Sequence, residues 1–156
     1  MNTDAPDELV ISRIFDAPRE LVYRAFVDPD QLAQWFGPVG FVVPRDTVAV
    51  DARVGGHQRL VMVNADDPSF RSPVDATFVE VVENELLVGE QQARGVPGFD
   101  GTLTMRLRLE FHAEPGGKTR LELRQGPYPG RLEADARQGW LSSFTKLDDL
   151  LALTAS

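Results

Sequence analysis

The chain has 156 residues, of which 42% are hydrophobic and 26% charged, with a net charge of −8 and no cysteine. That length suits one domain burying about 70% of its unfolded surface, and the composition is that of a soluble globular protein. These totals exclude disulfides, thiolate metal sites and cysteine nucleophiles, and the acidic balance disfavours nucleic acid and anionic membranes as partners.

No run approaches the ~18 apolar residues of a membrane span. The start, MNTDAPDELV, lacks the basic and then apolar layout of a secretion signal, so the expected compartment is cytoplasmic. Residues 1–7 are polar and read as a frayed end. The apolar, β-branched stretch 9–15 reads as a first strand, stopped by Asp16-Ala17-Pro18. Pro18 suits a first helical turn and Glu20 favours the positive end of its dipole, which starts a short helix with Leu21, Val22, Ala25 and Phe26 on one face. Asp28-Pro29-Asp30-Gln31 repeats the signal: Asp28 as N-cap, Pro29 at the first helical position and Gln31 at the third, close to a capping box. Leu32, Trp35 and Phe36 share a face of this second helix, which Gly37-Pro38 and Gly40 end.

From there to residue 128 the period is two. Strands are expected over 47–51, 57–64, 74–82, 86–91, 102–111 and 119–125, with a bend at Gly55-Gly56, a turn-rich loop over 64–73 and a hairpin connection at Glu83-Asn84-Glu85. The cleanest strand is 102–111, where Leu103, Met105, Leu107, Leu109 and Phe111 alternate with Thr102, Thr104, Arg106, Arg108 and Glu110. That pattern describes a sheet with one wet and one covered face. Residues 92–101 read as a loop and 126–130 as a stiff linker. The cover is the stretch 131–153, about 34 Å long as a helix. Its Trp140, Phe144, Leu147 and Leu151, flanked by Leu141 and Leu150, form an apolar stripe, opposite Ser142, Lys146, Asp148 and Asp149. Gly139 lies inside this helix at a cost of ~1 kcal/mol, so it calls for close approach of another backbone or room for a ligand. The expected class is α+β: about seven antiparallel strands wrapped around a long C-terminal helix, with two short helices after the first strand.

Particular residues in this order carry a resemblance: IFDAPRELVYRAFVDPDQLAQWFGP at 14–38, VGGHQRLVM at 54–62, TFVEVVENELLV at 77–88 and GWLSSFTKLDDLLA at 139–152. They resemble the START-like superfamily, also called SRPBCC or birch-pollen-allergen-like, and within it the family named after the activator of heat-shock protein 90 ATPase. The resemblance spans 9–153 of a single domain over 1–156. It implies a helix-grip fold with a cavity between sheet and long helix, taking a small apolar or amphipathic molecule. Similar sequences usually place an aromatic residue where this chain has Gln58, which favours a ligand with a polar group. The expected cavity residues are Trp35, Phe36, Gln58, Leu60, Met62, Phe78, Val88, Met105, Trp140 and Phe144.

Catalytic constellations are thin. His57 and His112 lie far apart without metal-ligand spacing, and Ser142 and Ser143 lack a nucleophile-elbow context, so neither a metal nor a cofactor is expected. An enzyme of the cyclase, dehydratase or hydrolase kind would need Glu80, Tyr23 or Arg59 in the cavity. Alternation puts Arg59 and His57 outward, and Glu80 reads as outward or at a bulge. The resemblance also names a chaperone partner, which would use loops 64–73 and 91–101; with one domain expected to fill the chain, no counterpart of the additional binding region of the eukaryotic activator is expected in it. A homodimer is a further possibility, which either of two apolar loop tips, Phe70 or Phe99, could seat.

Overall fold

One eight-stranded antiparallel sheet forms the body of the molecule. The computed structural model describes residues 7–94, 102–128 and 132–154. In chain order these form β1 (Asp7–Phe15), α1 (Arg19–Val27), α2 (Pro29–Trp35), β2 (Phe41–Val42), a 3-10 turn at Arg45–Thr47, β3 (Ala49–Val50), β4 (His57–Asn64), β5 (Arg71–Val82), β6 (Leu86–Arg94), β7 (Thr102–Glu114), β8 (Lys118–Tyr128) and α3 (Leu132–Thr154). The strand order is β1-β8-β7-β6-β5-β4-β2, with β3 also on β4.

The helix boundaries follow from local chemistry. Pro18 is the N-cap of α1 rather than its first residue, and its carbonyl accepts from Leu21 and Val22 N–H at 3.0 and 3.2 Å. Pro29 pushes the preceding Asp28 into extended backbone (φ −84°, ψ 119°), which separates α1 from α2. Asp28 then serves both helices. Its N–H closes α1 onto the Arg24 carbonyl at 2.8 Å, and its carboxylate caps α2 through Asp30 and Gln31 N–H at 2.9 and 3.3 Å.

Several sheet boundaries differ from the sequence reading. β6 runs on to Arg94, through residues read as a loop, and β7 runs on to Glu114. β2 was not expected, because two residues between Gly40 and Pro44 carry no period. The expected strand over 47–51 is only Ala49–Val50, since Arg45–Thr47 turns as a 3-10 helix. β5 starts at Arg71 and contains Pro73. That proline is tolerated because β6 pairs with β5 only from Ala76 onward, so the missing N–H falls at an edge. β8 runs to Tyr128, through residues read as a linker.

Side chains sort by phase as the alternation implies. On β7, Met105, Leu109 and Phe111 are buried, while the opposite phase joins a lattice of ion pairs including Arg106–Glu90, Arg108–Glu110 and Arg120–Glu122. α3 packs on the covered face, with Phe144, Leu147, Leu150 and Leu151 buried in the core with Phe15, Leu121 and Leu123. Its expected wet face is not free. Asp148 takes a bidentate bond from Arg13 of β1 at 2.8 and 2.5 Å, Ser142 Oγ accepts from Val39 N–H at 2.8 Å, and Lys146 Nζ donates to the Phe41 carbonyl at 3.3 Å. Burial at that contact lowers the Lys146 pKa. These three residues pin the helix to β1 and to the segment after α2. No helix among the described residues is long and apolar enough to cross a membrane.

Candidate ligand-binding cavity

Between the sheet and the first half of α3 lies a partly open cavity of about 260 Å³. The sheet supplies Gln58 and Met62 from β4, Val74, Ala76 and Phe78 from β5, Leu87, Gly89 and Gln91 from β6, Met105, Leu107 and Leu109 from β7, and Gln125 and Tyr128 from β8. The helix supplies Ala136, Gly139, Trp140 and Ser143, and Phe26, Phe36, Gly37 and Pro38 complete the rim.

The space exists because small residues stand where large ones would fill it. Gly89 lies on the inward phase of β6 between Leu87 and Gln91. A Cβ there would meet the Thr77 carbonyl oxygen at 3.5 Å, an ordinary contact. Gly139 faces the cavity from α3, and a Cβ there would meet only Pro38, at 3.8 Å. No backbone crowds either position. Of the two reasons open for Gly139, close backbone approach is thereby removed and empty space remains. Ala76 and Ala136 continue the same economy of side chain.

Phe78 is held in place by backbone pairing outside the β5–β6 ladder. Its N–H donates to the Gly56 carbonyl at 2.9 Å and its carbonyl accepts from Gly55 N–H at 2.9 Å, beside the β-bulge between Phe78 and Glu80. Gly56 could be nothing else: a Cβ would lie 2.0 Å from the Asp51 carbonyl oxygen. The bulge turns Glu80 outward, where it lies exposed 4.0 Å from Arg108.

Among the described residues, the polar side chains that face into the cavity are neutral. Gln125 Oε1 accepts from Trp140 Nε1–H at 2.7 Å and from the Tyr128 hydroxyl at 2.6 Å. Burial, and then the charge of Glu133, raises the Tyr128 pKa well above the usual phenol range, so the hydroxyl stays a donor. Ser143 Oγ donates back to the Gly139 carbonyl at 3.0 Å. The amides of Gln58 and Gln91 have no hydrogen-bond partner among the described residues, and Gln58 lies among Met62, Ala76 and Phe78. Glu90 is the one acidic residue in the lining among the described residues, and its carboxylate turns to the other face, onto Arg106.

The structure brings six of the ten expected residues to the cavity: Phe36, Gln58, Met62, Phe78, Met105 and Trp140. Four do not line it. Trp35 is fully buried beneath Phe36, its indole N–H donating to the Ala25 carbonyl at 2.8 Å. Leu60 and Phe144 are packed into the solid core, at 1% and 0% exposure. Val88 belongs to the outer face, in register with Glu80 and Arg108 and covered there. Of the residues an acid–base enzyme would need, Glu80 and Arg59 are exposed on the outer face, Arg59 beside Asp75 at 3.3 Å. Tyr23 packs edge-on against Phe111 away from the cavity, its pKa raised by burial and by Glu83. His57 shares the Arg59 phase, and His112 bonds Glu110 outside. Phe70 is exposed, with its ring 5.9 Å from Phe41; Phe99 lies outside the described residues. Among the lining residues the sequence reading missed, Gln125, Tyr128 and Gly89 matter most to the shape and polarity of the cavity. Gln125 had a signal, since it continues the inward phase of Leu121 and Leu123 as a polar exception, as Gln58 does on β4.

A sheet gripping one long helix across a cavity defines the START-like, helix-grip class. The chain belongs to the family described as activator of Hsp90 ATPase homolog 1-like protein, whose sequence pattern matches residues 16–152. Among solved structures, protein CV1439 of Chromobacterium violaceum is similar at 27% identity, covering 92% of this chain and 96% of its own, with a TM-score of 0.79. The AHSA1 protein SPO3351 of Silicibacter pomeroyi is similar at 27% identity, over 95% of this chain and 99% of its own, with a TM-score of 0.78. Protein NE0264 of Nitrosomonas europaea shares the fold at 23% identity, over 99% of each chain, with a TM-score of 0.78. No curated protein matches the chain.

Proposed function

We propose that this protein binds a small, neutral, mainly apolar molecule in the cavity between its sheet and α3. The carrying observation is a void of about 260 Å³ kept open by Gly89 and Gly139 at positions where larger side chains would fit. Apolar surface left unpacked forgoes about 25 cal/mol per Å² of burial, so a solid core would be the more stable solution. Neutrality follows from the lining. Among the described residues no carboxylate or ammonium group turns into the cavity, and an ion without a counter-charge would lose its hydration unrewarded. The free amide of Gln58 supports one polar group on the ligand, amid walls that are otherwise apolar.

The test uses 2-ethylnaphthalene as a neutral apolar probe, followed by Trp140 fluorescence and by calorimetry. Saturable one-to-one binding is expected for the unaltered protein, with marked weakening in a Gly89→Val variant, whose β-branched side chain suits a strand but enters the cavity. No saturable binding of this probe or of a panel of similar size, or undiminished binding by Gly89→Val, would contradict the reading.

A further inference from the structure

We infer that the ligand carries a neutral hydrogen-bond acceptor, a carbonyl or ether oxygen, which takes an N–H from Gln125. This rests on the reading of the cavity as a binding site and adds the polarity of one contact.

An indole N–H can only donate. The Gln125 atom 2.7 Å from Trp140 Nε1 is therefore an acceptor, which fixes the amide as Oε1 toward Trp140 and Tyr128, and Nε2 away from them. A flipped amide would set N–H against N–H. With Tyr128 donating as well, both lone pairs of Oε1 are occupied. Nε2 then has two N–H groups, and no acceptor for either exists among the described residues. No buried side-chain nitrogen or oxygen is left without a partner among those residues, so Nε2 has open space in front of it. Gln125 lines the cavity, and the cavity is that space.

The other amides do not carry this information. Gln58 and Gln91 have no partner to orient them and can turn either end to a ligand. Ser143 is occupied by the Gly139 carbonyl. Gln125 alone among these groups offers a donor of fixed direction, and two aromatic side chains from different elements are spent on fixing it. A hydrocarbon would cover that donor without satisfying it. A ketone, ester, lactone or ether would satisfy it.

The experiment compares 2-acetylnaphthalene with 2-ethylnaphthalene, which differ in shape by little and in chemistry by one carbonyl. Each is titrated into the unaltered protein, Gln125→Glu and Gln125→Met, with the side-chain amide resonances of Gln125 recorded by ¹H–¹⁵N NMR. The ketone should bind the unaltered protein roughly three- to tenfold more tightly, the worth of one net hydrogen bond. Only the ketone should shift the Gln125 NH₂ resonances downfield. In Gln125→Glu, Trp140 and Tyr128 keep their acceptor but the cavity gains a second acceptor, so the preference should fall to about one or reverse. Gln125→Met should also bring it to about one. Equal affinity of the unaltered protein for the two compounds would overturn the inference while leaving the cavity reading intact. So would a ketone preference that persists in both variants. Absence of binding by either compound would overturn both together.

Discussion

The two halves of α3 pack against the same sheet by opposite rules. From Phe144 onward the helix is sealed: Phe144 and Leu147 are fully buried, Leu150 and Leu151 nearly so. Phe15 meets Phe144 edge-on at 5.3 Å, and Arg13 lies 4.7 and 5.7 Å over these two rings while gripping Asp148. Before Phe144 the same helix presents Ala136, Gly139, Trp140 and Ser143 to empty space. One half holds the fold together, and the other is shaped at the fold's expense. The boundary falls within one turn, between Ser143 and Phe144.

That contrast predicts which changes cost stability and which cost binding. Leu147→Ala in the sealed half should lose ~2–5 kcal/mol of folding free energy, read from the denaturant midpoint. A loss below ~1 kcal/mol would mean that this half is not tightly packed. Gly139→Leu should do the reverse. It should gain up to ~0.8 kcal/mol in helix propensity while weakening the naphthalene probes about tenfold or more, because overpacking an occupied space costs on the order of 1–3 kcal/mol. Asp148→Asn removes half of an ion pair whose members keep 29% and 43% of their side-chain exposure. Solvent screening limits that effect to ~1 kcal/mol or less, measured in low and high salt.

The smallest effect concerns pH in the open half. The Tyr128 pKa is raised in the folded protein, so its stabilising contribution is complete below the ordinary phenol pKa of ~10 and is lost as pH rises above it. Tyr128→Phe should flatten part of the stability decline measured above about pH 10 and leave the neutral-pH slope unchanged. Tyr23, raised in the same direction, accounts for a remainder.

The sealed half was legible in the sequence because solid packing leaves a periodic trace. The stripe through Phe144, Leu147 and Leu151, the Asp28 cap and the alternation on β7 all follow from burial or capping at fixed spacing. In the open half, apolar periodicity placed Met62, Phe78, Met105 and Trp140 at the cavity, but it could not tell a wall from a core, and the sharper signals were residues that contradicted their surroundings. Gln58 on an apolar phase and Gly139 inside a helix were such contradictions, and both line the cavity. Trp35, Leu60 and Phe144 were assigned to the cavity because a wall residue and a core residue have the same composition; only packing against Ala25, the core and Phe15 separates them. Val88 failed for another reason. Val88 alternates with Leu87 and Gly89 on β6 and so falls on the outer face, in register with Glu80 and Arg108, although it is 1% exposed there. Asp148 looked solvated because its partner, Arg13, is 135 residues away.

The two tryptophans report on the two regimes in a single sample. Trp35 is sealed against the Ala25 carbonyl, and Trp140 stands at the cavity with its indole on Gln125. In a ¹H–¹⁵N titration with 2-ethylnaphthalene, the Trp140 indole resonance should move and saturate while that of Trp35 stays within a small fraction of the same shift. An unmoved Trp140 resonance, or equal movement of both, would contradict the claim that the first half of α3 walls a ligand site and the second half does not.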